Sequence, residues 1–228
     1  MIYCQSENCI TIDFTQVLTE KSVFDLEGFL VSKNIKGWIE AVPTYTFLSI
    51  YFDVQQVDIT HPTFLKSMKN WINEFKQQPA KQHYQQQEVK KIPVCYEAKY
   101  ALDLEWAVEY TGLTKNELIS YHCAPTYEVK MLGFIPGFPY LGFVSEEIQL
   151  PRLKKARSKV LAGSIGIAAA QTGIYPIDIP GGWRIIGRTP LLMFDKFRKA
   201  PFLLSPLDLV EFYPISEIEF EQMNQHLS

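Results

Sequence analysis

From Tyr121 to Pro190 the chain is punctuated by glycine and proline at intervals too short for any long helix. The segments read FIPGFPYLGF, LAGSIG, QTGIYP, DIPGGW and IIGRTP. Between them lie short apolar runs such as VLAGSIGIAAA and WRII. Short strands separated by closely spaced turn signals define a β-barrel or sandwich. Two short helices precede this region. One spans Asp103 to Tyr110; the other is opened by Thr114, with Glu117 three residues on, the spacing of a capping box.

The first ninety residues have a different grammar, alternating strands and helices. Ile10, Ile12 and Phe14 alternate with Thr11 and Asp13, the pattern of a half-buried strand. Val23, Leu26, Phe29 and Leu30 follow at helical spacing within residues 20–33. WIEAV and YTFLSIYF, separated at Pro43-Thr44, read as a hairpin. Pro62 opens the clearest helix, because Phe64, Leu65, Met68, Trp71, Ile72 and Phe75 fall on one apolar stripe. Residues 79–91 are polar and rich in glutamine, and read as a linker. The predicted boundary lies between residues 79 and 92, dividing an α/β domain (1–88) from a mostly β domain (89–228). If IPVCYE (92–97) returns to the first sheet, the order is βαββαβ, a ferredoxin-like arrangement. It can equally begin the second domain, and the sequence leaves both open.

Composition excludes whole classes of function. The 228 residues carry 22 Lys+Arg against 25 Asp+Glu, a net charge of −3, so no global field draws nucleic acid or anionic lipid. With 47% apolar and 21% charged residues the chain is ordinary for a folded globular protein. No apolar run has the length a bilayer span requires, and MIYCQSENCITIDF lacks the layout of a signal peptide. Four cysteines are too few for a disulfide scaffold. A cytoplasmic location is expected.

Motif scans narrow the chemistry. Gly182–Thr189 has P-loop spacing but puts Arg188 where the motif needs lysine, and Pro190 follows where a helix should begin. Ala162 occupies the first glycine position of a nucleophile elbow at 162–166. Cys4, Cys9 and the His122-Cys123 pair lack a second ligand pair at zinc spacing, so no metal site is expected. What remains is a set of polar residues among glycines: His122, Tyr127, Arg157, Lys159, Gln171, Tyr175, Arg184, Arg188 and Asp195. Clustered glycines allow close backbone approach to a ligand and anion-binding nests. They serve equally as barrel corners, with the charged residues simply solvated.

MLGFIPGFPYLGF (131–143), AGSIGIAAAQTGIYPIDIPGGWRIIGRTP (162–190) and GWIEAVPTYTFLSIYFD (37–53) together resemble the carboxyltransferase-domain subunit family. That family includes the B subunit of 5-oxoprolinase, allophanate hydrolase subunit 1 homologues and the sporulation kinase inhibitor KipI. The resemblance implies an N-terminal α/β domain and a C-terminal cyclophilin-like barrel. The sequence departs from the family pattern at Leu161 (usually proline), at Ala168–Ala170 (where glycines are common) and at Asp178-Ile179 (usually Glu-Ser).

The activity implied is ATP-dependent cleavage of 5-oxo-L-proline to L-glutamate, or of a related amide or urea derivative. ATP with Mg²⁺ would be co-substrate, and the chain would be inactive without the A and C subunits of such an enzyme. The alternative in this family is an interaction protein that inhibits a histidine kinase. Phosphorylating a lactam oxygen calls for cations, backbone N–H groups and a proton carrier. His122 is the expected proton carrier, its ordinary pKa of about 6.5 suiting proton transfer. Arg157 and Arg188 are expected at anions, with Arg184 and Lys159 as further cations. Tyr127, Gln171 and Tyr175 are expected at substrate, with Gly163, Gly173, Gly181 and Gly182 presenting backbone amides. All should converge on one concave pocket.

Overall fold

The structure, a computed structural model, describes residues 1–15, 22–79 and 88–227. The chain divides into two compact units, Met1–Gln85 and Gln86–Ser228. Residues 80–87 of the glutamine-rich segment lie outside the described residues.

The first unit is a four-stranded antiparallel sheet. Its strands are β1 (Ile2–Ser6), β2 (Cys9–Asp13), β3 (Trp38–Pro43) and β4 (Phe47–Phe52), in the order β1-β2-β4-β3. Helix α1 (Val23–Val31) starts at a capping box in which Ser22 and Asp25 satisfy each other's backbone N–H. Helix α2 (Pro62–Gln77) has Pro62 in its first turn, where no N–H is needed, and the His61 side chain accepts from the Thr63 N–H. The stripe read from sequence packs as expected. Met68, Ile72 and Phe75 are buried against Ile10, Ile12, Leu48 and Ile50, each side chain contributing about 1.5–3 kcal/mol.

The second unit holds an eight-stranded sheet in the order β6-β14-β5-β13-β10-β11-β8-β7. The ranges are β5 (Lys90–Cys95), β6 (Tyr127–Glu128), β7 (Met131–Leu132), β8 (Pro139–Phe143), β10 (Ser164–Ala168), β11 (Gln171–Ile174), β13 (Arg184–Arg188) and β14 (Leu209–Ile215). A separate pair joins β9 (Arg157–Val160) to β12 (Ile179–Gly181). The large sheet curls, and residues 127–132 link its two ends. The Val129 N–H donates to Asp208 O on one side (2.9 Å), and the Lys130 N–H to Tyr140 O on the other (2.8 Å). Helices α3 (Leu104–Thr111), α4 (Lys115–Cys123) and α5 (Glu217–Leu227) complete the unit, so the chain is a mixed α+β protein. The Thr114–Glu117 capping box opens α4, as its spacing predicts.

The structure decides the alternative that the sequence leaves open, against the ferredoxin-like arrangement. IPVCYE does not return to the first sheet, because β5 runs parallel to β14 from Val210↔Lys90 to Ile215↔Cys95 and joins β13 at Cys95. The βαββαβ order that depended on it is therefore absent. In the first sheet β2 and β3 lie parallel on either side of β4, and the outer strand beside β2 is the N-terminal β1.

Candidate functional site

Asp103, at the start of α3, joins two arginines of the second unit. It makes no helix cap. Its Oδ2 accepts from the Ile185 backbone N–H (2.7 Å), and its own N–H donates to Ile185 O (2.7 Å), which fastens α3 to β13. Its Oδ1 accepts from Arg157 Nη2 at 2.8 Å and from Arg184 Nη1 at 3.4 Å. The Asp103 side chain is 5% exposed, whereas Arg157 and Arg184 retain 27% and 15%. Two guanidinium groups thus share one carboxylate, leaving one positive charge uncompensated within the trio. The Arg184 guanidinium lies 3.4 Å above the Trp106 ring of α3, a cation–π contact that fixes its plane. Arg157 Nη1 is sealed from solvent with no hydrogen-bond acceptor, a costly state for a charged group.

Beside this trio sits an aromatic cluster. Phe138 meets Tyr175 and Trp183 edge-on at 5.3 and 5.4 Å, and Tyr140 approaches Trp183 at 5.8 Å. The glycines make room for these rings. A side chain at Gly181 would collide with the Tyr175 phenol, and one at Gly173 would fall 2.7 Å from Pro139 O and 3.0 Å from Phe138. Burial pushes the Tyr175 hydroxyl above its ordinary pKa, while the Trp183 backbone N–H and the charges of Arg152 and Arg157 oppose that rise. Gly163 is required for another reason. Its φ of +81° is left-handed, and its Cα lies against the Thr189 carbonyl, where any Cβ would clash. Its N–H is already used by Tyr175 O (2.7 Å). Of the four glycines expected to face a ligand, only Gly182 has room, with no atom nearer than 3.7 Å to where a side chain would start.

The predicted residues do not share a single pocket. His122 is completely buried on α4. One ring nitrogen, Nδ1, is 2.8 Å from the Tyr96 hydroxyl, and Nε2 is 3.2 Å from that of Thr172. Its ring stacks on Phe212 at 4.6 Å, and burial drives its pKa down to about 3. Both ring nitrogens thus face hydroxyl partners and no atom of His122 is exposed, so in this fold it is placed in the core, away from solvent. Tyr127 is buried beside it, donating to His122 O at 2.8 Å. Arg188 stands apart from the Asp103 trio. Its Nε donates to Ala162 O (2.8 Å), and its guanidinium sits 5.8 Å from the Phe220 ring of α5. Gln171 starts β11, half-buried, opposite Ala168. Lys159 pairs at 2.8 Å with Asp178, which also accepts from the Ala162 N–H. Asp103 and Trp106 were missed by sequence reasoning; an acid opening a helix looks like an ordinary cap. Among the described residues no three His, Cys, Asp or Glu side chains gather so as to hold a metal ion, and no helix is long and apolar enough to cross a membrane.

The α+β architecture, with a curled, glycine-bent sheet in its second unit, is that of carboxyltransferase-type domains. Residues 2–204 match the carboxyltransferase domain, subdomain C and D, and the chain is a member of that family. It is 37% identical over 199 residues to the B subunit of 5-oxoprolinase from Bacillus subtilis, covering 85% of this chain and 82% of that protein. It is 44% identical over 127 residues to the corresponding 5-oxoprolinase protein of Escherichia coli O157:H7, spanning 56% of this chain and 58% of that one. Among solved structures, TTHA0988 superposes with a TM-score of 0.74 at 29% identity. The match covers 95% of this chain but only 41% of TTHA0988.

Proposed function

We propose that this chain is the B subunit of an ATP-dependent 5-oxoprolinase, acting with homologues of that enzyme's A and C subunits. The observation that carries the reading is the near full-length match to the Bacillus subtilis counterpart, 37% identical across 85% of this chain. The reaction opens a five-membered lactam, whose amide carbonyl is a poor electrophile. The γ-phosphoryl group of ATP passes to the lactam oxygen and ADP leaves. Water then adds to the activated carbon, the C–N bond breaks as the nitrogen takes a proton, and hydrolysis of the acyl phosphate releases phosphate and L-glutamate. Negative charge builds on oxygen at each stage, so the protein's task is to supply fixed positive charge.

In this reading Arg157 and Arg184 supply that charge. Asp103 orients both and Trp106 holds the plane of Arg184, while part-exposed guanidinium edges remain for a carboxylate or phosphoryl oxygen. His122 takes no part in proton transfer, and Arg188 acts from its own position beside Ala162. The test is an assay of ATP-coupled conversion of 5-oxoproline to glutamate, with the chain combined with homologues of the A and C subunits. Glutamate formation that requires all three components and ATP is the expected result. Glutamate formation that is unchanged when this chain is left out would refute it.

A further inference from the structure

The loop that joins β7 to β8 carries a bulky side chain in a backbone conformation that favours glycine. Phe134 has φ of +65° and is 62% exposed. For an aromatic L-residue this is a strained state, and solvation of the ring adds to its cost. The loop is nevertheless tightly closed, by Gly133 N–H to Phe138 O (3.1 Å) and Phe138 N–H to Ile135 O (3.1 Å). Phe134 stands edge-on over the buried Phe138 at 5.7 Å.

This loop abuts a second one. A side chain at Gly137 would fall 3.1 Å from Phe202 and 3.2 Å from Phe194, and those two rings stack at 5.4 Å to close the loop 194–202. At the tip of that loop Phe197 is 87% exposed, and Phe202 is 37% exposed. Phe197 lies in the run Lys196–Lys199. Arg198 is paired with Asp195, while Lys196 and Lys199 form no ion pair among the described residues. The two loops therefore present three exposed aromatic rings, and the second also carries Lys199 and Lys196, whose ammonium lies 4.9 Å from the Phe197 ring centroid. Neighbouring exposed rings of this kind mark an interface, and buried aromatic anchors carry most of the energy of such contacts.

We propose that loops 133–138 and 194–202 are the docking surface for the rest of the carboxyltransferase domain, with Phe134 entering an apolar pocket of that partner and Lys196 and Lys199 facing its carboxylates. Two observations select this occupant. The chain matches subdomains C and D of a carboxyltransferase domain, and in TTHA0988 the matching region is 41% of a longer polypeptide, so the same fold occurs there joined to more protein. The charge on the 194–202 loop sets the partner's sign. The inference rests on the multi-subunit reading above, yet its test is a binding measurement independent of turnover.

The full chain is purified with the protein of the same organism that matches the remainder of TTHA0988, and affinity is measured by calorimetry. Phe134→Gly relieves the strained backbone, so the free chain should melt at the same or a higher temperature while affinity falls at least ~10-fold, the scale of losing one anchor residue. Lys196→Glu with Lys199→Glu should also weaken binding, more at low salt than at about 0.5 M salt, as expected of charges facing an acidic rim (about 4 Å screening length at that salt). Tyr110→Ser, at an exposed position on α3, should leave affinity unchanged. Affinity within about two-fold of wild type in Phe134→Gly overturns the proposal, as does failure of the wild-type chains to associate. Self-association of this chain through the same loops, abolished by Phe134→Gly, overturns the choice of partner. A wild-type complex that binds through these loops but, with the A-subunit homologue and ATP added, opens no 5-oxoproline refutes the function and leaves the surface assigned.

Discussion

His122 makes the stability of the second unit sensitive to mild acid. In the folded chain its pKa is about 3 because burial removes water and no carboxylate replaces it; Tyr96, Thr172, Tyr127 and Phe212 are its neighbours. In the unfolded chain it titrates near 6.5. Below that value the unfolded state binds a proton that the folded state refuses, so stability falls with pH at about 1.4 kcal/mol per unit, down to about 3. Between pH 7 and pH 5 the loss integrates to about 2 kcal/mol, or roughly 4–8 °C in melting temperature for a unit of this size. Carboxylates held below their ordinary pKa, among them Asp178 beside Lys159 and Glu117 in its capping box, lose their contribution mostly below about pH 4.5. Within the second unit the pH 5–6.5 window therefore isolates the histidine. Urea unfolding at pH 7, 6 and 5 measures the slope, and the imidazole carbon shift in NMR measures the titration directly. His122→Leu orphans part of the bonding of two hydroxyls and should be less stable at pH 7 by about 1–3 kcal/mol, with a flatter pH dependence. An imidazole that titrates near 6.5 in the folded chain, or a variant that keeps the wild-type slope, would refute the reasoning.

Further outcomes follow from the same geometry. Asp103→Asn leaves two guanidinium groups without their shared anion, and should lower stability by about 2–4 kcal/mol and the melting temperature by roughly 4–16 °C; a change under about 1 kcal/mol would mean that solvent already screens the trio. Ala169 has φ of +51° in the two-residue turn between β10 and β11, so Ala169→Gly should stabilise by up to about 1 kcal/mol, read as a shift of the urea midpoint. A lower midpoint would contradict it. In the assembled enzyme Arg184→Gln should reduce ATP-coupled turnover at least ~10-fold, the value of one charged contact of about 1.4 kcal/mol. Retention of full activity would make Arg184 a purely structural partner of Trp106.

What could be read from the sequence was whatever is encoded locally. The α2 stripe, the capping box at Thr114, and the hairpin of β3 and β4 depend on neighbours within a few residues, and each formed where spacing places it. The strand β1 escaped notice because Ile2–Ser6 alternates weakly and its last three residues are exposed. The destination of Lys90–Cys95 depends on β14, more than a hundred residues away, and a parallel pairing leaves no local mark. The site shows the same division in sharper form. Residue type marks Arg157 as an anion binder and His122 as a proton carrier, but both assignments assume access to a ligand. Access is settled by partners 54 and 50 residues away in the chain, Asp103 for the arginine and Thr172 for the histidine. Asp103 takes up part of the charge of Arg157 and Arg184 yet fixes where the rest points, so one buried carboxylate both weakens and aims two cations. Burial takes the charge of His122 altogether. A sequence lists the chemically capable groups; the long-range contacts decide which of them still face outward with their chemistry intact.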